Sequence, residues 1–225
     1  MLIRHGRTRA NADGVLAGTT PGVSLDDNGV EQAKELASRL TNLAPTAIIS
    51  SPLQRTMQTA SILAQTLQSP SAEISVTEEP GLSECNYGDW TGQTLLDLSQ
   101  HDLWRSVQDH PSSVTFPGQH GESMSFVQHR AVSTIRRWND LLGPEALYIA
   151  VSHGDVIKAI LADALGAHLD HFQRIVVDPC SVSVIRYTAL RPFVVTMNNS
   201  GDSAERFVQA ANSGESDAPV GGGTA

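Results

Sequence analysis

Apolar residues follow two patterns along the chain. Short apolar runs, typical of buried strands, begin at residue 2 and recur at 46–50, 74–77, 146–152, 181–187 and 193–197. Segments with helical spacing or helix-start residues separate them, at 26–43, 52–67, 93–101, from 121–123 to about 142, and 155–165. Strands that alternate with helices predict an α/β fold, with a mostly parallel central sheet between two layers of helices.

Individual residues support several of these helix boundaries. Pro52 suits a first helical turn, Ser123 suits an N-cap, and Gly166 suits the end of a helix. The segment from about 80 to 120 lacks a strong period and predicts an irregular cap, with one short helix at 93–101. From residue 199 onward Gly, Ser, Ala, Asp and Glu dominate, which indicates a disordered tail. We therefore predict one domain over 1–198 and a tail over 199–225.

Composition narrows the classes of partner. Among 225 residues, 40% are hydrophobic and the net charge is −9, so a core can form but the basic surface of a nucleic-acid protein is not expected. An acidic protein can still hold a small anion in a local basic pocket. No apolar run approaches the length of a membrane span, and the two cysteines have no zinc-ligand spacing. We expect no nucleic acid, no membrane and no metal, and a cytoplasmic location.

Two His-Gly pairs follow predicted strands. The run 2–6 ends in His5-Gly6, and His153 follows the apolar run 146–152. Ligands of open parallel sheets bind beyond the carboxyl ends of strands, so these histidines are candidates to meet in one crevice. A single His-Gly is more often a surface turn, and spacing alone does not show that the two meet.

Two further segments carry candidate chemistry. Arg55 lies near the start of the predicted helix 52–67, where free backbone N–H groups and a guanidinium suit an anion. Glu84 lies in the Gly-rich segment 81–92 and is a candidate general acid if it is desolvated. Taken alone, the arginine is more often a solvated helix residue and the glutamate a solvated loop residue.

Together these segments resemble a known family. The runs RHG (4–6), SSPLQRTMQTA (50–60), LSECNYGDWTG (82–92) and SHGDVIKA (152–159), in this order, are similar to the histidine phosphatase superfamily, in its phosphoglycerate-mutase-like branch. The resemblance implies the fold of that family and a reaction without a cofactor. It implies that His5 is the nucleophile, that Glu84 is the acid, and that the phosphoryl group is bound by Arg4, Arg55 and His153. It also implies that phosphate or substrate is bound by Asn11, Gly18, Tyr87 and Gly154.

The resemblance leaves three activities open. We expect a metal-independent phosphatase for a small phosphorylated metabolite; a mutase and an inactive phospho-ligand module are the alternatives. Only 69 residues separate Glu84 from His153, whereas the resembled mutases carry a longer, basic insert there that keeps water away.

Two residues depart from the family pattern. Arg7 stands where many members carry Glu, and it faces either an anionic substrate or solvent. Asp155 comes one residue later than the aspartate of the acid phosphatases, so the acid role stays with Glu84. The oligomeric state stays open, with a homodimer as one option.

Overall fold

The central sheet sets the frame for every other element. The computed structural model describes residues 1–67 and 74–201, and these form one six-stranded sheet with the order β3-β2-β4-β1-β5-β6. The strands are β1 (Leu2–Arg4), β2 (Ala47–Ser50), β3 (Val76–Glu78), β4 (Tyr148–Ser152), β5 (Val182–Tyr187) and β6 (Pro192–Asn199). The first four pair in parallel, whereas β5 runs antiparallel to both β1 and β6. The predicted fold class is therefore confirmed.

Helices cover both faces of the sheet. They are α1 (Arg9–Ala12), α2 (Asp27–Arg39), α3 (Gln54–Thr66), α4 (Leu95–Leu98), α5 (Asp102–Asp109), α6 (Met124–Leu142) and α7 (Gly154–Leu165). Neighbouring residues of β2 show the two layers: Ile48 packs in the cluster that contains α2 and α3, and Ile49 in the cluster that contains α6 and α7. Side chains of a strand alternate between faces, so the apolar run in β2 supplies both cores.

The helix boundaries agree with the capping residues. Ser123 caps α6 by accepting a hydrogen bond from Phe126 N, and Gly166 ends α7 with a left-handed backbone (φ 67°). Helix α3 starts at Gln54, later than expected, and Pro52 lies before its N-cap instead of inside the first turn.

The segment from 80 to 120 is more helical than its sequence pattern indicated. It holds α4 and α5, and α5 lies beyond the single short helix expected at 93–101. Helix α5 has eight residues, too few for the apolar period to stand out. Its buried Val107 packs in the same core as Trp90 and Phe116, so tertiary burial supports this short helix.

The predicted tail reaches beyond the residues that the structure describes. Residues from 202 onward lie outside the described ranges, as do residues 68–73 before β3. The division into a domain over 1–198 and a tail stays a prediction. In the described part of the chain, each helix is too short or too polar to cross a membrane.

Candidate active site

Three neighbouring strands deliver the first residues of the site. Strand β4 lies between β2 and β1, all three are parallel, and Arg4 pairs with Ser152 in the register of β1 and β4. The residues that follow these strands therefore share one edge of the sheet: His5 after β1, Ser51 after β2 and His153 after β4. The two imidazole rings lie 5.2 Å apart between centroids, so the predicted meeting of the histidines is what the structure shows.

A close backbone approach fixes the turn after His5. The Gly6 Cα packs against the backbone of Gly29 at the start of α2, and a Cβ on Gly6 would overlap the Gly29 carbonyl oxygen. The Gly29 Cα in turn lies against the backbone of Arg7. Gly6 N donates to Thr59 Oγ1 at 3.1 Å. Only glycine leaves room for this contact, which holds the turn against both α2 and α3.

The environment of His5 determines which ring nitrogen is free to react. The Gly6 carbonyl oxygen lies 2.7 Å from Nδ1, and since a carbonyl only accepts, Nδ1 carries the hydrogen. Arg55 Nε donates to Nε2 at 3.3 Å, so Nε2 holds a lone pair. Burial, followed by the charges of Arg55 and Arg4, keeps the pKa of His5 well below its usual range. His5 is therefore a neutral imidazole with a nucleophilic Nε2.

Arg55 connects His5 to the loop around Gly18. It lies in the first turn of α3 and is almost fully buried, at 3% exposure. Its Nη2 donates to the Gly18 carbonyl at 2.7 Å, whereas Nη1 is buried without a hydrogen-bond partner among the described residues. A buried guanidinium N–H without a partner is costly, so this nitrogen is a ready donor for an anion beside His5.

Glu84 is buried next to the two histidines. Its Oε1 accepts a hydrogen bond from Cys85 N at 2.9 Å, and its Oε2 lies 3.9 Å from His153 Nδ1. Burial, followed by the charge of Asp155, raises the pKa of Glu84 to about 7, although Arg55 and Arg4 act in the opposite direction. A carboxyl that is half protonated near neutral pH suits a general acid.

His153 contributes a hydrogen bond more than a charge. Its ring is fully buried, and its Nε2 lies 2.8 Å from Ser51 Oγ. Burial, followed by the charge of Arg55 and the neighbouring His5, holds the pKa of His153 well below its usual range. In this state the second imidazole is neutral and does not add the positive charge that protonation would give it.

An arginine–glutamate pair holds the loop that carries Glu84. Arg130 of α6 donates to the carbonyl oxygens of Gly81 (3.0 Å), Ser83 (2.7 Å) and Glu84 (3.1 Å). The same guanidinium forms two hydrogen bonds with the Glu122 carboxylate, at 2.9 and 3.0 Å. Glu122 Oε2 also accepts from the backbone N–H of the residue after Cys85, at 2.8 Å. This arrangement, the Arg130–Glu122 clamp, fixes the backbone on both sides of the acid.

A second buried network lies behind Glu84. Tyr87 Oη donates to Asp155 Oδ2 at 2.8 Å, and Lys158 Nζ lies 3.7 Å from Asp155 Oδ1. Asp155 and Tyr87 are fully buried, and Lys158 is 1% exposed. Asp155 therefore acts on the site through Tyr87 and through its charge, from behind the cavity.

One cavity collects six of the nine predicted site residues. It encloses about 30 Å³ and is lined by a set that includes His5, Asn11, Gly18, Arg55, Glu84 and Tyr87. Arg4, His153 and Gly154 are not part of this lining. Arg4 is buried and donates to the Val177 carbonyl at 2.8 Å, and Gly154 is the first residue of α7. Asn11 Oδ1 accepts from Thr8 N and Thr8 Oγ1, which leaves its amide nitrogen as a donor.

Other features of the surface are less suited to catalysis. A larger groove of about 660 Å³ lies between α2 and α3, but none of its lining residues is titratable. Within the described ranges, no group of three or more His, Cys, Asp or Glu side chains has the geometry to hold a metal ion. The smaller cavity is therefore the candidate active site.

Arg7 does not line this cavity. Its Nε bonds Asp26 Oδ2 at 2.9 Å, and Asp26 is the N-cap of α2. The structure thus gives Arg7 a third role besides the two expected ones, because the side chain joins the turn after His5 to the start of α2.

Sequence reasoning missed three residues that hold the site. Ser51 contacts His153, and its position directly after a buried strand, like those of the two histidines, was an available signal. Thr59 lies four residues after Arg55 and donates to the Arg55 carbonyl at 2.9 Å, so helical spacing was a second signal. Arg130 lies far from the loop in sequence, and its bonds to three carbonyls have no local sequence signal.

Comparisons with known proteins identify the relatives of this chain. A phosphoserine phosphatase of Hydrogenobacter thermophilus is 29% identical over 218 residues, covering 93% of this chain and 96% of that protein. A probable phosphoglycerate mutase of Proteus mirabilis is 32% identical over 189 residues, covering 83% of each. The crystal structure of an Entamoeba histolytica phosphoserine phosphatase with 3-phosphoglyceric acid has the same fold, with a TM-score of 0.77 and 23% identity over 88% of this chain and 95% of that one.

The family model of the histidine phosphatase superfamily, branch 1, matches residues 1–200. That match covers β1 to β6 and every residue placed in the cavity above. The resemblance found in the four sequence motifs is therefore confirmed, and the chain belongs to the histidine phosphatase superfamily.

Proposed function

We propose that this protein is a metal-independent phosphatase that hydrolyses a small phosphomonoester through a phosphohistidine on His5. The family and the phosphatases among its relatives support the phosphatase part. One observation carries the rest: a neutral His5 with a lone pair on Nε2 shares a small cavity with Glu84, whose pKa of about 7 keeps a proton available.

The first half-reaction transfers the phosphoryl group to the protein. A phosphoryl oxygen takes the hydrogen bonds of Arg55, which releases Nε2 of His5 to attack phosphorus. A P–N bond forms as the ester P–O bond breaks, and the leaving oxygen takes the proton of Glu84. The developing negative charge is stabilised without a metal ion by fixed donors of Arg55 and Asn11 and by the positive charge of Arg4.

The second half-reaction returns the protein to its starting state. The Glu84 carboxylate takes a proton from water while the water oxygen attacks phosphorus. The P–N bond breaks, inorganic phosphate forms, and His5 regains the lone pair on Nε2. His153 donates a hydrogen bond from Nδ1 to the phosphoryl group if the Ser51 hydroxyl donates to its Nε2.

The placement of the arginines in the cap and in α6 supports a phosphatase over a mutase, which would transfer the phosphoryl group back to a bound carboxylic acid. Arg105, Arg136 and Arg137 form ion pairs with Asp109, Asp163 and Glu79, and Arg130 forms the clamp with Glu122. None of the four lines the cavity. A mutase has to hold a carboxylate-bearing intermediate and exclude water, and none of these four arginines lies where it could bind a carboxylate in the cavity. The relative named as a probable phosphoglycerate mutase keeps that activity as the alternative to test.

The test is phosphate release from phenyl phosphate in the presence of EDTA. We expect turnover by the wild type, a loss of at least about 10³-fold in His5→Ala, and no loss in His129→Ala, whose side chain is exposed on α6. An acid-labile phosphoenzyme should form in the wild type and be absent in His5→Ala. Full activity of His5→Ala would overturn the proposal. Primer-dependent isomerisation of phosphoglycerate would favour the mutase, and phosphate binding without turnover would favour a binding module.

The proposal also covers the substrate, the oligomeric state and the cellular location. The substrate is a small phosphorylated metabolite, and every group in the scheme comes from one chain, so the chemistry does not depend on the homodimer left open by the sequence. Both cysteines, Cys85 and Cys180, are free and buried, which supports the proposed cytoplasmic location.

A further inference from the structure

The outer part of the catalytic cavity differs in chemistry from its floor. His5, Arg55 and Glu84, which surround the reacting phosphorus in the proposed scheme, are buried, whereas six other lining residues are half-buried. Of these six, only Asn11 also contacts the phosphoryl group in that scheme. We call these six the rim: Ala10, Asn11, Gly14, Val15, Ala17 and Leu95. The cavity is small, about 30 Å³, and the phosphoryl group takes its floor beside His5 in the proposed scheme, so the leaving group of a substrate has to lie across the rim.

The rim carries no charged side chain. Its single polar side chain is Asn11, whose amide nitrogen is a neutral donor. Two arginines precede the rim in sequence, and neither lines the cavity: Arg7 pairs with Asp26 at 2.9 Å, and the exposed Arg9 with Asp13 at 2.7 Å. Within the described residues, the cavity contains one guanidinium, that of Arg55, and it lies next to His5 where the phosphoryl group binds.

Backbone hydrogen bonds fix this neutral rim in place. Leu16 N donates to the Gln93 carbonyl at 2.9 Å, Gly92 N to the Leu16 carbonyl at 2.8 Å, and Leu95 N to the Gly14 carbonyl at 2.8 Å. The segment 14–16 is thus joined to 92–95 as a short two-stranded contact. These hydrogen bonds fix the backbone that carries Val15 and Leu95, so the uncharged side chains of the rim keep their places in the cavity.

We propose that the substrate has an uncharged leaving alcohol, which lays apolar or hydroxyl-bearing surface on this rim. A carboxylate in that position would lose water without gaining a cation, and it would lie near Glu84. A hydroxyl group can instead accept the Asn11 amide hydrogen bond. This inference rests on the proposed phosphatase function and adds the chemical class of the leaving group.

Two matched pairs of substrates test the inference on the wild-type protein. Glycerol 3-phosphate differs from 3-phosphoglycerate, and phenyl phosphate from 4-carboxyphenyl phosphate, chiefly by a carboxylate on the leaving alcohol. We expect kcat/KM to favour the uncharged member by at least about tenfold in both pairs at pH 7. A smaller preference, or a preference for the carboxylate, overturns the inference while leaving the phosphatase proposal intact. Failure to hydrolyse any of the four, with no phosphoenzyme, counts against the proposed function itself.

Variants of the rim provide the matched control. Leu95→Arg places a cation on the rim and should reduce the preference at least about fivefold, whereas Leu96→Arg, at a side chain 77% exposed beside it, should leave the preference unchanged. Ala10→Lys is a second rim substitution in case Leu95→Arg does not fold. If neither rim variant changes the preference, or if Leu96→Arg changes it equally, the rim does not select the leaving group.

Discussion

Opposite pKa shifts favour the neutral forms of two side chains in one cavity. Burial lowers the pKa of His5 and raises that of Glu84, because it disfavours the charged form of each. The result is an imidazole with a lone pair and a carboxyl with a proton at the same pH. A nucleophile and a general acid need these two states together, so a single physical cause prepares both.

The alkaline side of the pH profile should therefore follow Glu84. We expect kcat to fall as the pH rises through about 7, because the carboxyl loses the proton that the leaving group needs. Asp155→Asn should move this fall to lower pH, since the charge of Asp155 raises the pKa of Glu84. Steady-state kinetics from pH 5 to 9 measure the shift. Asp163→Asn, the same change at an exposed ion pair on α7, should not move the profile.

At the scale of elements, the site depends on a contact between a helix and a loop. Arg130 of α6 binds Glu122 and three carbonyls of the loop that carries Glu84, and this clamp determines where the backbone of Glu84 lies. The guanidinium is planar and forked, so lysine reproduces its charge but not its set of hydrogen bonds. The position of the acid is therefore sensitive to a residue that lies outside the cavity.

We expect Arg130→Ala to lower kcat by roughly 10- to 100-fold and the free energy of unfolding by about 3 kcal/mol, because Glu122 loses its cation and three carbonyls lose their donor. Arg130→Lys should recover part of the stability but little of kcat. Phenyl phosphate kinetics and urea denaturation measure the two effects. The control is Arg105→Ala, since that arginine is exposed and its pair with Asp109 is a surface pair. Equal kcat in Arg130→Ala and the wild type would contradict this role.

The same scale explains what the sequence predicted and what it did not. Apolar runs located the strands, and the rule that ligands bind beyond strand ends placed His5 and His153 together, because their strands are adjacent and parallel. The antiparallel direction of β5 was not readable, since an apolar run carries no information about its partner's direction. The Arg130–Glu122 clamp was not readable either, because it joins residues 36 to 49 positions from the loop by side-chain geometry alone.

At the scale of the whole molecule, the buried Glu84 carboxyl lowers the free energy of unfolding when it loses its proton. The pKa of Glu84 is raised from 4.5 to about 7 on folding. The stability contributed by the protonated carboxyl is therefore fully present below pH 4.5 and is lost as the pH rises through 7. The loss amounts to about 3 kcal/mol, a large part of the free energy of unfolding of a typical domain. The group proposed to carry the chemistry thus destabilises the fold at neutral pH.

We expect Glu84→Gln to be more stable than the wild type above pH 7 and nearly equal to it at pH 4, because glutamine has no proton to lose. The gain in Tm at pH 8 should be on the order of 6 °C. Phosphatase activity should fall at least about 100-fold in the same variant. Thermal unfolding of both proteins from pH 4 to pH 8 checks the prediction, and a Tm difference that does not grow with pH would contradict it.

The contact between Gly6 and Gly29 limits how this sequence can change. Most tight contacts in a protein tolerate a larger residue on one side if evolution finds a smaller residue on the other. Here neither side has a side chain to give up, since both residues are already glycine and each meets the backbone of the other segment. An alanine at either position has no compensating partner, and only a displacement of α2 from the turn after His5 would make room for it. The two positions are thus closed to substitution together, so the position of helix α2 cannot change without moving the turn that carries His5.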